Sequence, residues 1–257
     1  MNAIRSTIHL SWMVITVIPW ATLVVLIAPF TSQRIVYRVC VSWLATAALG
    51  GRWFLGIRNR VSGLEHLPAG TRDAAVLLVK HQSTWETFCL PVLMPHPVAF
   101  VFKRELLRIP FFGWAIGRLE MIHIDRGQRT DALRKVIEQG RRLLERGTWV
   151  VMFPEGTRIP RGEKGTYQSS GARLAIECGV PVIPIAVTSA RCWPRKAFVK
   201  RPGIVDISIG PPMPTTGRKA HELMREVEAW IEAEMLRLDP GAYPDGQARR
   251  SAVRPSP

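Results

Sequence analysis

Acidic residues are scarce in this chain. Asp and Glu together number 20 against 35 Lys and Arg, a net charge of +15 with a pI near 10.8. A surplus of that size points to polyanionic surroundings: nucleic acid, anionic lipid or phosphorylated ligands. The signatures that would choose among common chemistries are missing too. There is no P-loop, G-x-G-x-x-G, H-E-x-x-H or G-x-S-x-G, which removes the usual nucleotide, metalloprotease and serine-hydrolase readings. The four cysteines, Cys40, Cys89, Cys178 and Cys192, form no C-x-x-C pair, and two sit in apolar runs. That argues for reduced thiols in a cytosol-facing domain, against a disulfide framework and against a zinc site. Without Cys2His2 spacing or an RNP-like aromatic stretch, a nucleic-acid role rests on charge alone, and no nucleic-acid partner is expected.

Formal charge is also absent from Ser6 to Gln33. Within that stretch the run Trp12–Ile27 is apolar and long enough, as a helix, to cross a hydrocarbon core of ~30 Å. Pro19 would kink it, which membrane helices tolerate. A cleaved signal peptide fits poorly, because Ala28-Pro29 puts proline where cleavage would have to occur. Arg34, Arg38 and Arg52 bracket a second uncharged segment, Val39–Gly51, too short for a span but suited to lying in the interface or against the first helix. Tyr37, Trp43 and Trp53 suit the headgroup level. Residues 1–57 therefore read as a two-helix membrane anchor, with membrane lipids as partners.

After residue 57 the pattern changes. Val61 to Pro68 reads as turn residues with mixed charge. Apolar runs then alternate with helical stretches. Strands are expected at Ala75–Val79, Val98–Phe102, Met121–Ile124, Trp149–Phe153, Val182–Val187 and Ile204–Ile209. Helices are expected at Trp85–Met94, Arg104–Gly117, Arg129–Arg146, Ser169–Cys178 and Arg218–Leu238, the last with Leu223, Val227, Trp230, Ile231, Met235 and Leu238 on one stripe. This alternation predicts an α/β fold, a mixed sheet flanked by helices, over residues 58–239. Residues 240–257, rich in Pro, Gly and Arg, read as a basic, disordered tail.

In such sheets ligands gather beyond the carboxyl ends of strands. His81 stands there, after the apolar run Ala74–Val79, with Glu86 five residues on. An imidazole takes a proton near neutral pH, and a carboxylate can orient it and stabilise its cation. Ser83 and Glu86 also stand in the S-x-x-E spacing of a capping box, so Glu86 has a purely structural reading as a helix-start residue. The two readings are compatible. Along a continuous helix His81 and Glu86 would lie about 140° apart, so they face each other only if His81 precedes the helix, in the turn that the cap creates. Further along, Lys103, Arg104 and Arg108 accompany Phe111, Phe112 and Trp114; these also suit an amphipathic surface helix with snorkelling bases. Ile124-Asp125-Arg126 has a bland reading as a surface ion pair. Phe153-Pro154-Glu155-Gly156-Thr157-Arg158 closes a strand with a glycine that lets backbone approach a ligand, then an arginine suited to phosphate.

Taken in order, these stretches resemble the motifs of the glycerolipid acyltransferases that acylate lysophosphatidic acid. His81 to Glu86 is similar to the family's H-x-x-x-x-D, with Glu, one methylene longer, in place of Asp. Lys103-x-Glu105-Leu106 with Pro110, Gly113 and Ile124-Asp125-Arg126 resembles the second motif. Phe153 to Arg158 resembles the third, and Val180 to Ala186 the fourth. The resemblance covers roughly Lys80 to Val187. Near Tyr167, where many members carry a basic residue, Gln168 and Ser169 are neutral.

The resemblance implies an acyl transfer from acyl-CoA or acyl carrier protein to the sn-2 hydroxyl of lysophosphatidic acid (1-acylglycerol-3-phosphate). His81 would be the general base and Glu86 its orienting carboxylate. Lys103, Arg126 and Arg158 would hold substrate, with Glu155, Gly156 and Thr157 shaping the pocket. No cofactor or metal is implied, and the enzyme would sit on the cytoplasmic (inner) membrane with its catalytic domain facing the cytoplasm. Two alternatives are the same chemistry on another acceptor such as a lyso-aminolipid, and a basic membrane-binding protein with no catalysis.

Overall fold

A computed structural model describes residues 1–70, 73–124 and 129–253. The chain opens with helices α1 (Asn2–Ile27) and α2 (Gln33–Gly50), then continues through β1 (Ile57–Ser62), β2 (Val76–Val79), α3 (Trp85–Leu93), β3 (Val98–Lys103), α4 (Phe112–Ile116), β4 (Ile122–Ile124), α5 (Arg129–Glu145) and β5 (Trp149–Met152). It closes with β6 (Glu163–Lys164), α6 (Ser170–Cys178), β7 (Val182–Val187), β8 (Gly203–Ile209), α7 (Ala220–Leu238) and β9 (Arg249–Arg250).

The main sheet has the order β1-β8-β7-β2-β5-β3-β4. From β7 to β4 every neighbouring pair is parallel, while β8 runs antiparallel to β7 and carries β1 parallel to itself. The sheet is therefore mixed, and the carboxyl ends of β7, β2, β5, β3 and β4 emerge at one edge. Central strands buried on both faces need apolar residues at every position. β2 and β5 meet this with Val76-Leu77-Leu78-Val79 and Trp149-Val150-Val151-Met152, all buried. Leu77 and Val79 face α2 and α3 through Trp43, Trp85, Phe88 and Leu90. Val76 and Leu78 face α5, α6 and α7 through Leu144, Leu174, Val227 and Ile231.

The N-terminal pair packs onto the first of these faces. α1 and α2 are joined by hydrogen bonds from Trp43 Nε1 to Thr16 Oγ1 (3.1 Å) and Trp20 Nε1 to Ser42 Oγ (2.9 Å). Trp43 meets Phe88 of α3 edge-on, with ring centroids 6.1 Å apart. Among the described residues one segment, Asn2–Phe30, is long and apolar enough to cross a membrane; α2 is a helix but not a second span.

Three expectations are corrected. The helix expected over Arg104–Gly117 is broken into a 3-10 turn, Arg104–Arg108, and the short α4. Pro110 cannot donate its helical bond, and Phe111 takes φ +59°, ψ −66°, with Phe112 N–H donating to Pro110 O at 2.7 Å, the geometry of a γ-turn. Val61 and Ser62, read as turn residues, end the edge strand β1; its exposed Arg58, Asn59 and Arg60 leave only Ile57 and Val61 turned inward, too little alternation to mark a strand. The tail read as disordered from residue 240 is docked over 240–253. Tyr243 is buried, Arg161 grips Asp239 through two bonds of 2.7 Å, and β9 pairs with β6. Local propensity is poor there; tertiary contacts supply the order.

Candidate active site

The loop after β2 is assembled from the inside outward. Lys80 is fully buried beyond the last residue of β2. Its ammonium donates to Glu155 Oε1 and to Glu232 Oε1, both at 2.7 Å, and to Glu163 O at 3.2 Å. Tyr167 donates its hydroxyl to the same Glu232 oxygen at 2.8 Å. An unpaired ammonium could not be held there, since isolated buried charge is among the costliest features a fold can carry. Burial works to lower the Lys80 pKa, but the two carboxylates outweigh it and leave it raised, so the lysine stays charged. Glu155 is pushed up, first by its own burial and further by Glu232, with Lys80 pulling the other way.

This buried cluster holds the next residue. Glu155 Oε2 accepts the His81 backbone N–H at 3.3 Å, and His81 O accepts the Ile159 N–H at 2.7 Å. Both main-chain groups of His81 are thus bonded to the segment that follows β5. The half-buried imidazole lies flat on Phe153, with ring centroids 3.8 Å apart and planes 16° from parallel.

Glu86, 1 % exposed in the first turn of α3, closes the loop from the other side. Its Oε1 accepts from Gln82 N (2.8 Å), Ser83 N (3.0 Å) and Ser189 Oγ (2.6 Å). Its Oε2 accepts from Ser83 Oγ at 3.1 Å, and Ser83 Oγ in turn accepts the Trp85 N–H at 2.9 Å. Half of the capping box forms: Glu86 reaches back to the Ser83 N–H, while the Ser83 hydroxyl takes the N–H of Trp85 in place of that of Glu86, and His81 lies outside the helix. Burial raises the Glu86 pKa, and the hydrogen bonds from Ser189, Gln82 and Ser83 oppose it.

Arg158 reaches back across the same edge, its Nη1 donating to Thr84 Oγ1 at 2.9 Å. That bond brings the β5 loop to within three residues of His81. Gly156 takes φ +65° in this loop, a conformation side chains disfavour, and Thr157 beside it is half-buried. Lys103 ends β3. Continuing the registers Leu78↔Met152 and Val151↔Phe100 puts Lys80 and Lys103 both level with position 154. Two strand spacings of ~4.8 Å separate β3 from β2, about 10 Å. The expected residues His81, Glu86, Lys103, Glu155, Gly156, Thr157 and Arg158 therefore share one sheet edge. Arg126 and its neighbour Asp125 lie outside the described residues. Sequence reasoning missed Lys80, Tyr167, Glu232 and Ser189. Lys80 alone carried a signal, as a charge directly after an apolar β-run.

Strand-end histidine, buried carboxylates and a nearby guanidinium on a mixed α/β sheet suit group transfer to an anionic acceptor. A family model described as Acyltransferase matches residues 58–188, from the second residue of β1 to the residue before Ser189. The chain belongs to the acyltransferase family. A 1-acyl-sn-glycerol-3-phosphate acyltransferase of Pseudomonas aeruginosa is 41% identical over 243 residues, 93% of this chain and 93% of that protein. One of the same name from Limnanthes douglasii is 26% identical over 240 residues, 92% of this chain and 83% of its own. The crystal structure of the 1-acyl-sn-glycerophosphate acyltransferase PlsC of Thermotoga maritima shares the fold, with a TM-score of 0.75 at 23% identity over 93% of this chain and 98% of that one.

Proposed function

We propose that this protein is a membrane-bound 1-acylglycerol-3-phosphate acyltransferase. It transfers a fatty acyl chain from acyl-CoA or acyl carrier protein to the sn-2 hydroxyl of lysophosphatidic acid and so makes phosphatidic acid. The observation that carries this reading is the double backbone clasp on His81, made by the same β5 loop that sends Arg158 to Thr84. A base must be rigid and an anion-binding group must be near it; here one loop serves both.

A thioester is already activated, so the enzyme needs no covalent nucleophile and no cofactor. His81 takes the proton of the acceptor hydroxyl as its oxygen attacks the thioester carbonyl. The tetrahedral adduct collapses with loss of the thiolate, which takes the proton back from the imidazolium. General base help of this kind is worth ~10²–10⁴-fold. Glu86 fixes the loop that presents His81 and stabilises the cation. Arg158 has five N–H donors, so its bond to Thr84 leaves the fork able to take two phosphate oxygens, with Lys103 opposite. Holding both substrates together supplies much of the remaining acceleration. The acceptor carries an acyl chain and comes from the bilayer. This suits an apolar α1 and a catalytic body on the cytoplasmic face of the inner membrane.

Purified membranes given defined donors and a panel of lyso-acceptors, read by lipid mass spectrometry, test the reading. Phosphatidic acid should form from lysophosphatidic acid, and Arg158→Ala should raise the KM for that acceptor at least tenfold. Preferred acylation of a phosphate-free lyso-aminolipid, unaffected by Arg158→Ala, would reassign the acceptor. No transfer to any acceptor would leave a membrane-binding protein without catalysis.

A further inference from the structure

The sheet edge that carries His81 has a second cationic feature, on the flank away from Lys103. The chain leaves α2 through a π-helical turn, Gly51–Leu55, and enters β1 at Gly56, whose φ is +70°. A Cβ at Gly56 would stand 3.1 Å from Pro202 Cβ and 3.3 Å from Arg5 Nη2, so the start of α1 and the approach to β8 both converge on this turn. A cavity of about 530 Å³ opens here, lined among others by Arg52, Trp53, Arg58 and Ile204. Trp53 is 61% exposed. None of the lining residues is acidic, and among the described residues Arg5, Arg52 and Arg58 make no ion pair; Arg5 donates only to Phe54 O, at 2.7 Å. Two guanidiniums lining one cavity without a carboxylate, with that of Arg5 beside the Gly56 turn, favour an anion.

Position says which anion. β8 is antiparallel to β7, so β8 and β1 begin at the edge where β7 and β2 end. Between β2 and β1 stand β7 and β8, three spacings or about 14 Å across the sheet. The registers put His81 level with Val61, three residues or about 10 Å along the strand from Arg58, so the two backbones stand about 17 Å apart and the arginine side chain spans the rest. The turn also abuts the His81 loop. A Cβ at Gly51 would meet the Trp85 ring at 2.5 Å, and Trp85 opens α3 four residues after His81. In a CoA thioester about thirteen bonds separate sulfur from diphosphate. That is the backbone of roughly four residues, ~14 Å when extended.

We propose that this cavity holds the phosphorylated nucleotide end of an acyl-CoA donor. Arg5, Arg52 and Arg58 take its phosphates, and the exposed Trp53 offers a face on which adenine stacks. The pantetheine arm then runs along the sheet edge and presents the thioester at His81, while the acceptor phosphate enters from the Lys103 and Arg158 flank. A lipid headgroup would use the same cations, and Trp53 also suits the headgroup level, so binding of CoA itself is what separates the two sources. This inference rests on the acyl-transfer reading above and names its donor.

Two measurements on the full-length protein in lipid nanodiscs test it. The first is calorimetric binding of CoA itself, which needs no turnover. Wild type should bind, and Arg52→Ala with Arg58→Ala should bind about a hundredfold more weakly or worse, the scale of losing two charge-assisted contacts. Lys at both positions should recover part of the affinity. The second is steady-state kinetics. The double variant should raise the KM for acyl-CoA by a similar factor, leave the KM for lysophosphatidic acid within twofold, and leave unchanged the KM for acyl-pantetheine, which lacks the phosphates these arginines would bind. Absence of CoA binding to wild type, or equal CoA affinity in the variant, overturns the proposal even if transfer from acyl carrier protein is intact. A variant that loses affinity for phosphatidylglycerol vesicles but not for CoA assigns the cavity to lipid headgroups instead. CoA binding without any acyl transfer would sink the enzymatic reading and spare the site.

Discussion

Replacing Lys80 with Met should be the most damaging single change in the body of the protein that leaves its apolar packing intact. The thioether keeps the length of the lysine stem but removes the ammonium that binds Glu155 Oε1 and Glu232 Oε1, each at 2.7 Å. Glu155 is 1 % exposed, so water cannot replace the lost partner. Removing one member of a buried ion pair costs about 3–5 kcal/mol, because charge is left behind uncompensated. For a chain of this size each kcal/mol moves the melting midpoint by roughly 2–4 °C, so the expected fall is on the order of 10 °C. The assay is thermal unfolding in nanodiscs, followed through the nine tryptophans. Turnover should fall as well, since the carboxylate freed from Lys80 is the one that holds the His81 N–H. Adding Glu155→Gln and Glu232→Gln to Lys80→Met removes the stranded charge and should recover much of the midpoint. If Lys80→Met melts within a degree of wild type, or the triple variant melts below the single one, the account of the buried cluster is wrong.

Other outcomes follow from the same geometry. The Lys80 contribution to stability should be present in full below the ordinary lysine value of 10.5 and be lost as pH rises through the raised native value; melting midpoints taken across alkaline pH should fall more steeply for wild type than for Lys80→Met. Glu86→Gln puts an amide NH₂ among donors from Gln82, Ser83 and Ser189; a loss of about 1–3 kcal/mol in stability is expected, with turnover at saturating substrates reduced tenfold or more, measured by denaturant titration and radiolabelled acyl transfer. Gly63→Ala should destabilise without touching chemistry, because φ is +81° there and the new Cβ would lie 2.0 Å from Ile209 O; a variant as stable as wild type would contradict the backbone path at that turn.

The central strands were legible because they are buried on both faces and carry nothing polar; Val76–Val79 and Trp149–Met152 could be read as strands without further help. β1 was not, because an edge strand exposed on one side carries Arg58 and Arg60 where a core strand would carry Val or Ile. Pro110 was visible in the sequence, but its consequence, a chain that reverses through Phe111 at positive φ, depends on packing around it. His81, Glu86 and Arg158 were legible as chemistry-bearing residues since strand ends and turn spacing are local properties. The Lys80 cluster was not. Its partners lie 75 and 152 residues away in sequence, and only the folded chain brings α7 under the β2 loop. The docked tail shows the same limit, as Tyr243 and β9 gain their order from Arg161, Gly162 and Lys164 far upstream.

As proposed, the imidazole of His81, on a loop held by Glu86 and Glu155, removes the proton from the acceptor hydroxyl. The direct measurement is acyl transfer from acyl-CoA to lysophosphatidic acid by His81→Ala in purified membranes, normalised to the amount of folded protein. The loss should be ~10²–10⁴-fold, the range for a missing general base, with expression and melting close to wild type. Turnover equal to that of wild type would contradict the claim.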